Sequence, residues 1–178
     1  MTPPLVGILS DSHGDAAATA RAVAILTERG VVQLFHCGDI CGEAVLDELA
    51  GHPCSFVWGN CDSPTPALNR YGERLGLCRL LPPQRIELAE KCIAVFHGHE
   101  RGFDAAAGGD GLDYLFYGHT HRFGDHRVGN CRLINPGALY RAKPRTCATL
   151  NLATGELVII RIDTGERVSS ARTVARHA

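Results

Sequence analysis

Five short polar clusters carry residue types that hold metal ions: Asp11-Ser12-His13, Gly38-Asp39, Gly59-Asn60-Cys61-Asp62, His97-Gly98-His99 and Gly118-His119-Thr120-His121. Carboxylate, imidazole and amide oxygen together suit borderline divalent ions such as manganese, iron, nickel or zinc. A purely hard-ion site for magnesium or calcium would use fewer histidines. Ions of this kind lower the pKa of a bound water and polarise the substrate oxygen beside it, the chemistry of metal-assisted hydrolysis. Most of these clusters have a plain explanation when taken alone. Asp11 or Ser12 would cap a helix. Gly38-Asp39 would be an ordinary turn, Asn60 a turn residue tolerant of left-handed backbone, and His97 a satisfied core histidine. Gly118-His119-Thr120-His121, with alternate histidines past a strand, resists that reading. Order and placement argue against coincidence, because each cluster follows an apolar, strand-like run.

Those runs must position the clusters. Leu5 to Ser10 reads as a buried strand, and Asp15 to Arg29 as a helix stopped by Gly30. Val31 to His36 is the next strand, Glu43 to Leu49 a second helix, and Ser55 to Trp58 a third strand. This alternation is the α/β signature, and in such folds the carboxyl ends of strands line the ligand crevice. Ser63-Pro64-Thr65-Pro66 reads as a breaker, and residues 67–81 are left ambiguous. Gln84 to Leu88 and Cys92 to Phe96 read as paired strands. Residues 101–111 form a loop or short helix, and Tyr114 to Tyr117 a strand. Gly129-Asn130 signals a hairpin, Asn135-Pro136-Gly137 a turn, and residues 147–152 and 156–162 a last hairpin. Helix-connected strands followed by hairpins predict two sheets packed face to face with helices outside. One domain is expected over 1–163, with a polar tail over 164–178.

Composition bounds the class. The chain has 178 residues, 45% of them hydrophobic and 21% charged, as in ordinary globular proteins. A net charge of -1 gives no global field toward nucleic acid or anionic lipid, so no specific nucleic-acid partner is expected. No apolar run is long enough to span a bilayer, and the first residues lack a secretory pattern. Eight cysteines are scattered without a CxxC pair. They read as reduced, buried small hydrophobes rather than a disulfide framework, which points to the cytoplasm.

The ordered clusters resemble the calcineurin-like metallophosphoesterase superfamily, whose pattern is D-x-H, G-D, G-N-[HC]-[DE], H and G-H-x-H. Within it the chain is similar to the small single-domain YfcE-type phosphodiesterase branch, over about Leu5 to Leu152. The retromer subunit built on the same fold is a related scaffold. Asn135-Pro136-Gly137-Ala138, followed by Pro144-Arg145, resembles the branch's N-P-G-S…P-R element with alanine for the usual serine. The resemblance implies a four-layer α/β/β/α sandwich, in agreement with the strand pattern. It also implies two divalent ions, manganese favoured, with nickel, iron or zinc as alternatives. Asp11, His13, Asp39 and His121 would hold one ion. Asp39, Asn60, His97 and His119 would hold the other, with Asp39 bridging. The expected reaction is hydrolysis of a small phosphate ester, by in-line attack of a hydroxide bridging the ions. A phosphomonoesterase acting on nucleotides or small phosphates and a non-catalytic retromer-like scaffold are the competing readings. A homo-oligomer is compatible with all of them.

Cys61 is the informative departure. Many superfamily phosphatases have histidine after the G-N, where it can protonate the leaving oxygen. A thiol, with an ordinary pKa of about 8.5, is a weak substitute. The YfcE-type branch shares this cysteine and is associated with diester cleavage. His99 is an alternative proton donor or a structural histidine, with equal weight. Asp62 and His36 are read as orienting groups or as local turn and core hydrogen bonds. Arg101, Arg122 and Arg141 flank the motifs; each is read first as a solvated surface cation, with contact to a phosphate oxygen as the alternative.

Overall fold

The structure is a computed structural model that describes residues 4–168. Its elements run β1 (Leu5–Leu9), α1 (Ala16–Glu28), β2 (Gln33–His36), α2 (Glu43–Leu49), β3 (Cys54–Phe56), α3 (Pro66–Arg74), β4 (Cys78–Arg79), β5 (Arg85–Leu88), β6 (Lys91–Val95), α4 (Phe103–Gly108), β7 (Tyr114–Phe116), β8 (Gly124–Val128), β9 (Cys131–Asn135), β10 (Thr146–Asn151) and β11 (Leu157–Arg161). Six strands form one sheet in the order β11-β10-β1-β2-β3-β4, and five form a second in the order β5-β6-β7-β9-β8. Both are mixed. β1 to β4 run parallel, with β10 and β11 joined antiparallel. In the second sheet β6, β7 and β9 are parallel, with antiparallel strands at both edges.

Side-chain alternation along the strands, which has a period of two, builds the layers. Val6 and Ile8 of β1 and Phe35 of β2 face the second sheet, where they meet Ile93, Val95, Phe116 and Ile134. Leu9 and Leu34 face the opposite way and pack with Ala22, Leu26, Val45 and Leu46 of α1 and α2. Ala94, Leu115 and Leu133 face outward from the second sheet toward Ala107 of α4. Three apolar cores separated by two sheets give the expected four-layer sandwich.

Element boundaries differ in informative ways. Val31 and Val32 precede β2 instead of starting it. The Val31 N–H returns to Leu26 O at 3.3 Å at the end of α1, whereas Val32, 54% exposed, is already tied to β1 through its N–H to Leu5 O at 2.9 Å. The ambiguous stretch becomes α3. Thr65 is its N-cap, with Oγ1 accepting from the Leu68 N–H at 3.1 Å, and Pro66 opens the first turn. Thr-Pro reads as a breaker and is also a helix start. β9 runs through Asn135, one residue into the expected turn. α1 is capped by Asp15, whose Oδ1 accepts from the Ala18 N–H at 2.9 Å. That leaves Asp11 and Ser12 free of the capping role. Beyond β11, Arg167 forms an isolated bridge with Ile160. The remainder of the expected tail, 169–178, lies outside the described residues. Among the described residues no helix is long and apolar enough to cross a membrane, and all eight cysteines are free.

The inter-sheet core sets the distance between the two halves of the site. Phe116 is fully buried there, its ring centroid 5.3 Å from that of Phe35. Phe116→Ala is expected to cost roughly 3–5 kcal/mol. Val32→Ala, at an exposed position, should stay within about 0.5 kcal/mol. Urea unfolding in chelator measures both. A loss below about 1 kcal/mol for Phe116→Ala would mean that the sheets do not depend on this packing.

Candidate metal centre

The loops that follow β1, β2, β3, β6 and β7 meet at one edge of the sandwich. Within the first sheet, the Asp11 N–H donates to Gly38 O at 3.0 Å and the His13 N–H to Asp39 O at 2.8 Å. Within the second, the Gly118 N–H donates to His97 O at 2.9 Å. The sheets are stitched together by the His119 N–H, which lies 3.1 Å from Asp11 Oδ2, and by His97 Nδ1, which lies 2.8 Å from Cys37 O.

Side-chain donor atoms converge there. Atoms of Asp11, His13 and His121 lie within 4.8 Å of one another, as do those of Asp11, Asp39 and His97, and of His13, Asp39 and Cys61. Asp39 is the hub: its Oδ2 lies 3.4 Å from His13 Nε2 and 3.3 Å from His97 Nε2. Its Oδ1 accepts the Cys61 N–H at 2.8 Å. His121 Nε2 is 3.3 Å from Asp11 Oδ1 and 3.2 Å from His13 Nε2. Asn60 Oδ1 is 3.0 Å from His97 Nε2. His119 sits less centrally. Its ring packs edge-on against His97 at 5.0 Å, and it belongs to none of the three-residue clusters. His99 is exposed, with its ring 5.3 Å from His97 and its Nδ1 3.7 Å from Glu100 Oε2.

These donors fit a cation. His97 Nδ1 faces a carbonyl and must donate to it, so Nε2 is the atom that faces Asn60 Oδ1 and Asp39 Oδ2. Only oxygen acceptors stand before it, and a positive centre, a proton or a metal, is needed between them. His13 Nε2 and His121 Nε2 face each other at 3.2 Å, two ring nitrogens that share one proton or together ligate a cation. The electrostatics agree. Burial alone would lower the His97 pKa, but the Asp39 carboxylate and Cys37 carbonyl outweigh it and raise it. Burial works against the Asp39 anion too, yet His97 and the Cys61 N–H hold its carboxyl well below the ordinary range. Asp11 is raised by burial, partly offset by Ser10, His97 and His121.

The backbone here is strained at the donors themselves. Asp11, His13, Asp39, His119 and His121 all have positive φ, between 44° and 67°. Such φ values are uncommon outside glycine and accumulate at functional sites. Glycines neighbour several of these donors, and two of them provide space. A Cβ on Gly59 would fall 2.1 Å from Asp39 Oδ1, and one on Gly118 would fall 1.9 Å from Ser10 Oγ and 2.6 Å from Asp11 Oδ2.

Of the supporting residues, Asp62 and His36 were singled out from sequence, and Glu100 and Asn135 were not. Glu100 accepts the His97 and Gly98 N–H groups at 2.8 and 2.7 Å and so fixes the loop. Asn135 donates from Nδ2 to Gly118 O at 2.8 Å, close under the paired histidines. Its only signal was its place in the Asn-Pro-Gly element. Asp62 ties two loops, accepting the Cys41 N–H at 2.6 Å and the Gly59 N–H at 2.7 Å. His36 is fully buried. The Gly38 N–H donates to its Nδ1 at 3.2 Å, so Nε2–H donates to Ser12 Oγ at 2.8 Å. Both residues orient loops through hydrogen bonds.

Arg101, Arg122 and Arg141 are all exposed. Arg141 alone is braced near a donor. Its Cζ lies 5.0 Å above the Tyr140 ring, and that ring lies 5.2 Å from the His13 ring. Its φ of 47° costs about 1–2 kcal/mol for an L-residue. An exposed cation–π contact returns only about 0.5–1 kcal/mol.

Strands ending in a shared cluster of carboxylates and imidazoles define a metal-binding hydrolase fold, and comparison with known proteins gives the family. The calcineurin-like phosphoesterase superfamily domain matches residues 5–155, and the chain belongs to that superfamily. By family it is a metal-dependent phosphoesterase. It is 26% identical over 136 residues to the phosphodiesterase MJ0936 of Methanocaldococcus jannaschii, covering 74% of this chain and 82% of that one. It is 25% identical over 167 residues to the phosphodiesterase YfcE of Escherichia coli, covering 85% and 88%. A solved structure described as a novel archaeal phosphodiesterase superposes with a TM-score of 0.78 at 25% identity, covering 88% of this chain and 98% of that one.

His36 makes a pH prediction. Burial lowers its pKa to about 3, against about 6.5 when unfolded. Between those values the unfolded chain binds a proton there that the folded chain does not. Stability therefore falls as pH falls below about 6.5, by roughly 2 kcal/mol on reaching pH 5. His97, whose pKa is raised, acts with the opposite sign, but it is present in both proteins compared. Urea midpoints in chelator at pH 7 and pH 5 should fall further for the wild type than for His36→Gln. Equal losses would mean that His36 is not held neutral.

Proposed function

We propose that this protein is a dinuclear phosphodiesterase acting on small phosphate esters. The observation that carries the reading is the Asp39 carboxylate, whose Oδ2 touches imidazoles from two different loops, His13 at 3.4 Å and His97 at 3.3 Å. One oxygen facing two separate donor groups is the arrangement a bridging ligand needs. Asp11, His13, Asp39 and His121 would hold one divalent ion, and Asp39, Asn60, His97 and His119 the other. The mixed carboxylate, imidazole and amide donors favour manganese, with nickel, iron or zinc also suited. When bound, such a pair supplies hydroxide at neutral pH and neutralises charge that develops on a phosphoryl group. The names of the two relatives support the diester class.

The chain's own residues do the rest. Cys37 O and Glu100 fix His97 so that Nε2 points inward. Gly59 and Gly118 leave room for the Asp39 and Asp11 carboxylates. Cys61 occupies the position from which a leaving oxygen would be protonated. The Asp39 carboxylate beside it, with burial second, holds its thiol above the ordinary range. Cys61 is therefore a neutral, weak acid, suited to leaving groups that need little protonation. His99, exposed beside His97 and Glu100, is the second candidate donor. Diesters of acidic alcohols fit this poverty of proton donors better than alkyl monoesters do.

Asp39→Asn should weaken both ions together. Groups that merely orient ligands typically cost 10–100-fold in metal affinity or activity, so a shared ligand should cost more than about 100-fold. Elemental analysis with kinetics on bis(4-nitrophenyl) phosphate tests this, and full activity with two retained ions would sink the bridging assignment. A positioned acid contributes about 10²–10⁴-fold where the leaving group is basic. Cys61→His should therefore raise kcat/KM for an alkyl phosphate monoester relative to an activated diester at matched metal content. An unchanged ratio, with the imidazole seen in the site, would transfer the role to His99.

A further inference from the structure

Cys61 stands apart from the other seven cysteines by what surrounds its sulfur. The Cys61 N–H donates to Asp39 Oδ1 at 2.8 Å, and Asp62 beside it accepts the Cys41 and Gly59 N–H groups at 2.6 and 2.7 Å. The loop that carries the thiol is therefore held against the Asp39 carboxylate. In that register the Cys61 sulfur, a ring nitrogen of His13 and a carboxylate oxygen of Asp39 all lie within 4.8 Å of one another. Among the described residues this is the one thiol that belongs to such a cluster. Cys41, the other exposed thiol on the adjoining loop, turns its sulfur toward the Cys61 carbonyl at 3.6 Å, and the exposed Cys78 lies on the edge strand β4.

We propose that Cys61, His13 and Asp39 form a cation site of mixed sulfur, nitrogen and oxygen donors. It takes a thiophilic divalent ion such as zinc or cadmium, and manganese does not recruit its sulfur. Zinc binds thiolate sulfur at about 2.3 Å and imidazole nitrogen or carboxylate oxygen at about 2.0–2.2 Å, so donors around one such ion stand about 3–4 Å apart. Donor atoms already within 4.8 Å of one another reach that spacing through small side-chain rotations. As the metal–sulfur bond forms, the thiol proton passes to solvent. Manganese favours oxygen donors and leaves the sulfur uncoordinated. The thiol is thus the weak acid described above only while the ions present are of the manganese kind. A thiophilic ion removes that acid and gains a ligand by doing so. His13 and Asp39 are shared with the proposed dinuclear centre, but the three donors suffice for one ion whether or not a second is held. The inference therefore adds a metal specificity to the phosphodiesterase reading without depending on it.

Cobalt(II) reports the donors directly, because sulfur bound to it gives a near-ultraviolet charge-transfer band that nitrogen and oxygen donors do not. Protein stripped with chelator and titrated with cobalt should show that band together with the visible bands of bound cobalt. Cys61→Ser should lose the ultraviolet band and keep the visible ones, while Cys41→Ser and Cys78→Ser should keep both. Zinc affinity, measured against a chromophoric chelator, should fall about 10-fold or more in Cys61→Ser, since groups that only orient ligands already cost that much. Manganese affinity should be nearly unchanged. Alkylation mapped by mass spectrometry gives a readout in the unaltered protein. Zinc should protect Cys61 from iodoacetamide and leave Cys78 reactive, and manganese should leave both reactive. Visible cobalt bands without the ultraviolet band, no bound cobalt, or an ultraviolet band that survives Cys61→Ser would overturn the site. Diester hydrolysis by the manganese-loaded enzyme is read separately. A sulfur band without hydrolysis would overturn the phosphodiesterase reading and leave this site standing, and hydrolysis without a sulfur band would do the reverse.

Discussion

The Asp39 carboxylate is almost completely shielded from water, and a buried anion is costly unless charge and hydrogen bonds compensate it. Its compensation comes from three separate stretches of chain: the Cys61 N–H after β3, the His13 imidazole after β1 and the His97 imidazole after β6. Those stretches meet only if β1, β2 and β3 end together and the second sheet lies across them in one register. The sandwich and the centre are therefore a single constraint. The apolar layer containing Phe35 and Phe116 fixes how far apart the sheets sit, and the carboxylate fixes where their edges must touch.

Around that hub, the structure accepts local cost. Five of the seven proposed ligands have left-handed backbone, which a loop left to itself would relax. Hydrogen bonds between loops hold them: Asp62 across the Cys41 and Gly59 amides, Glu100 across the His97 and Gly98 amides, and Asn135 beneath Gly118. Most of these clamps use carboxylate or amide oxygens on backbone N–H groups. Such bonds are stronger when the acceptor is charged, and they leave the imidazole nitrogens free to face inward. The buried, neutral His36 belongs to the same system. It joins Ser12 to the Gly38 turn, so the first two ligand loops move as one piece.

The cysteines divide by environment. Cys37, Cys54, Cys131 and Cys147 are buried in apolar surroundings, and burial pushes the thiols of Cys54 and Cys147 up to about 12. Cys61 is exposed and close enough to His13 and Asp39 to count among the donor atoms. Cys41, on the adjoining loop, donates toward the Cys61 carbonyl at 3.6 Å. Cys78 on β4 is exposed as well and Cys92 on β6 is half-buried, so only the four buried thiols pack as the small hydrophobes that the sequence led one to expect of all eight.

Most strands and helices, two facing sheets with helices outside, and the identity of the polar clusters were legible in the sequence; α3 and β4 were not, and the four-layer sandwich came with the family resemblance. What was legible is written in local patterns: alternation, caps, and short motifs at the ends of apolar runs. Where a residue had two local meanings, as in Thr65-Pro66, local pattern was not enough, and packing of α3 against the first sheet decided. Which donors touch is settled by the fold in three dimensions. Asp39 and His97 are far apart in the chain, and their 3.3 Å contact depends on how two sheets are superposed. The fold alone distinguished glycines that turn the chain from Gly59 and Gly118, whose missing side chains leave room for carboxylates. It also set apart Arg141, one of three arginines alike in sequence, through a ring contact and a backbone angle that no spacing records. Distances across sheets and left-handed backbone are products of packing, and packing is a property of the folded chain as a whole.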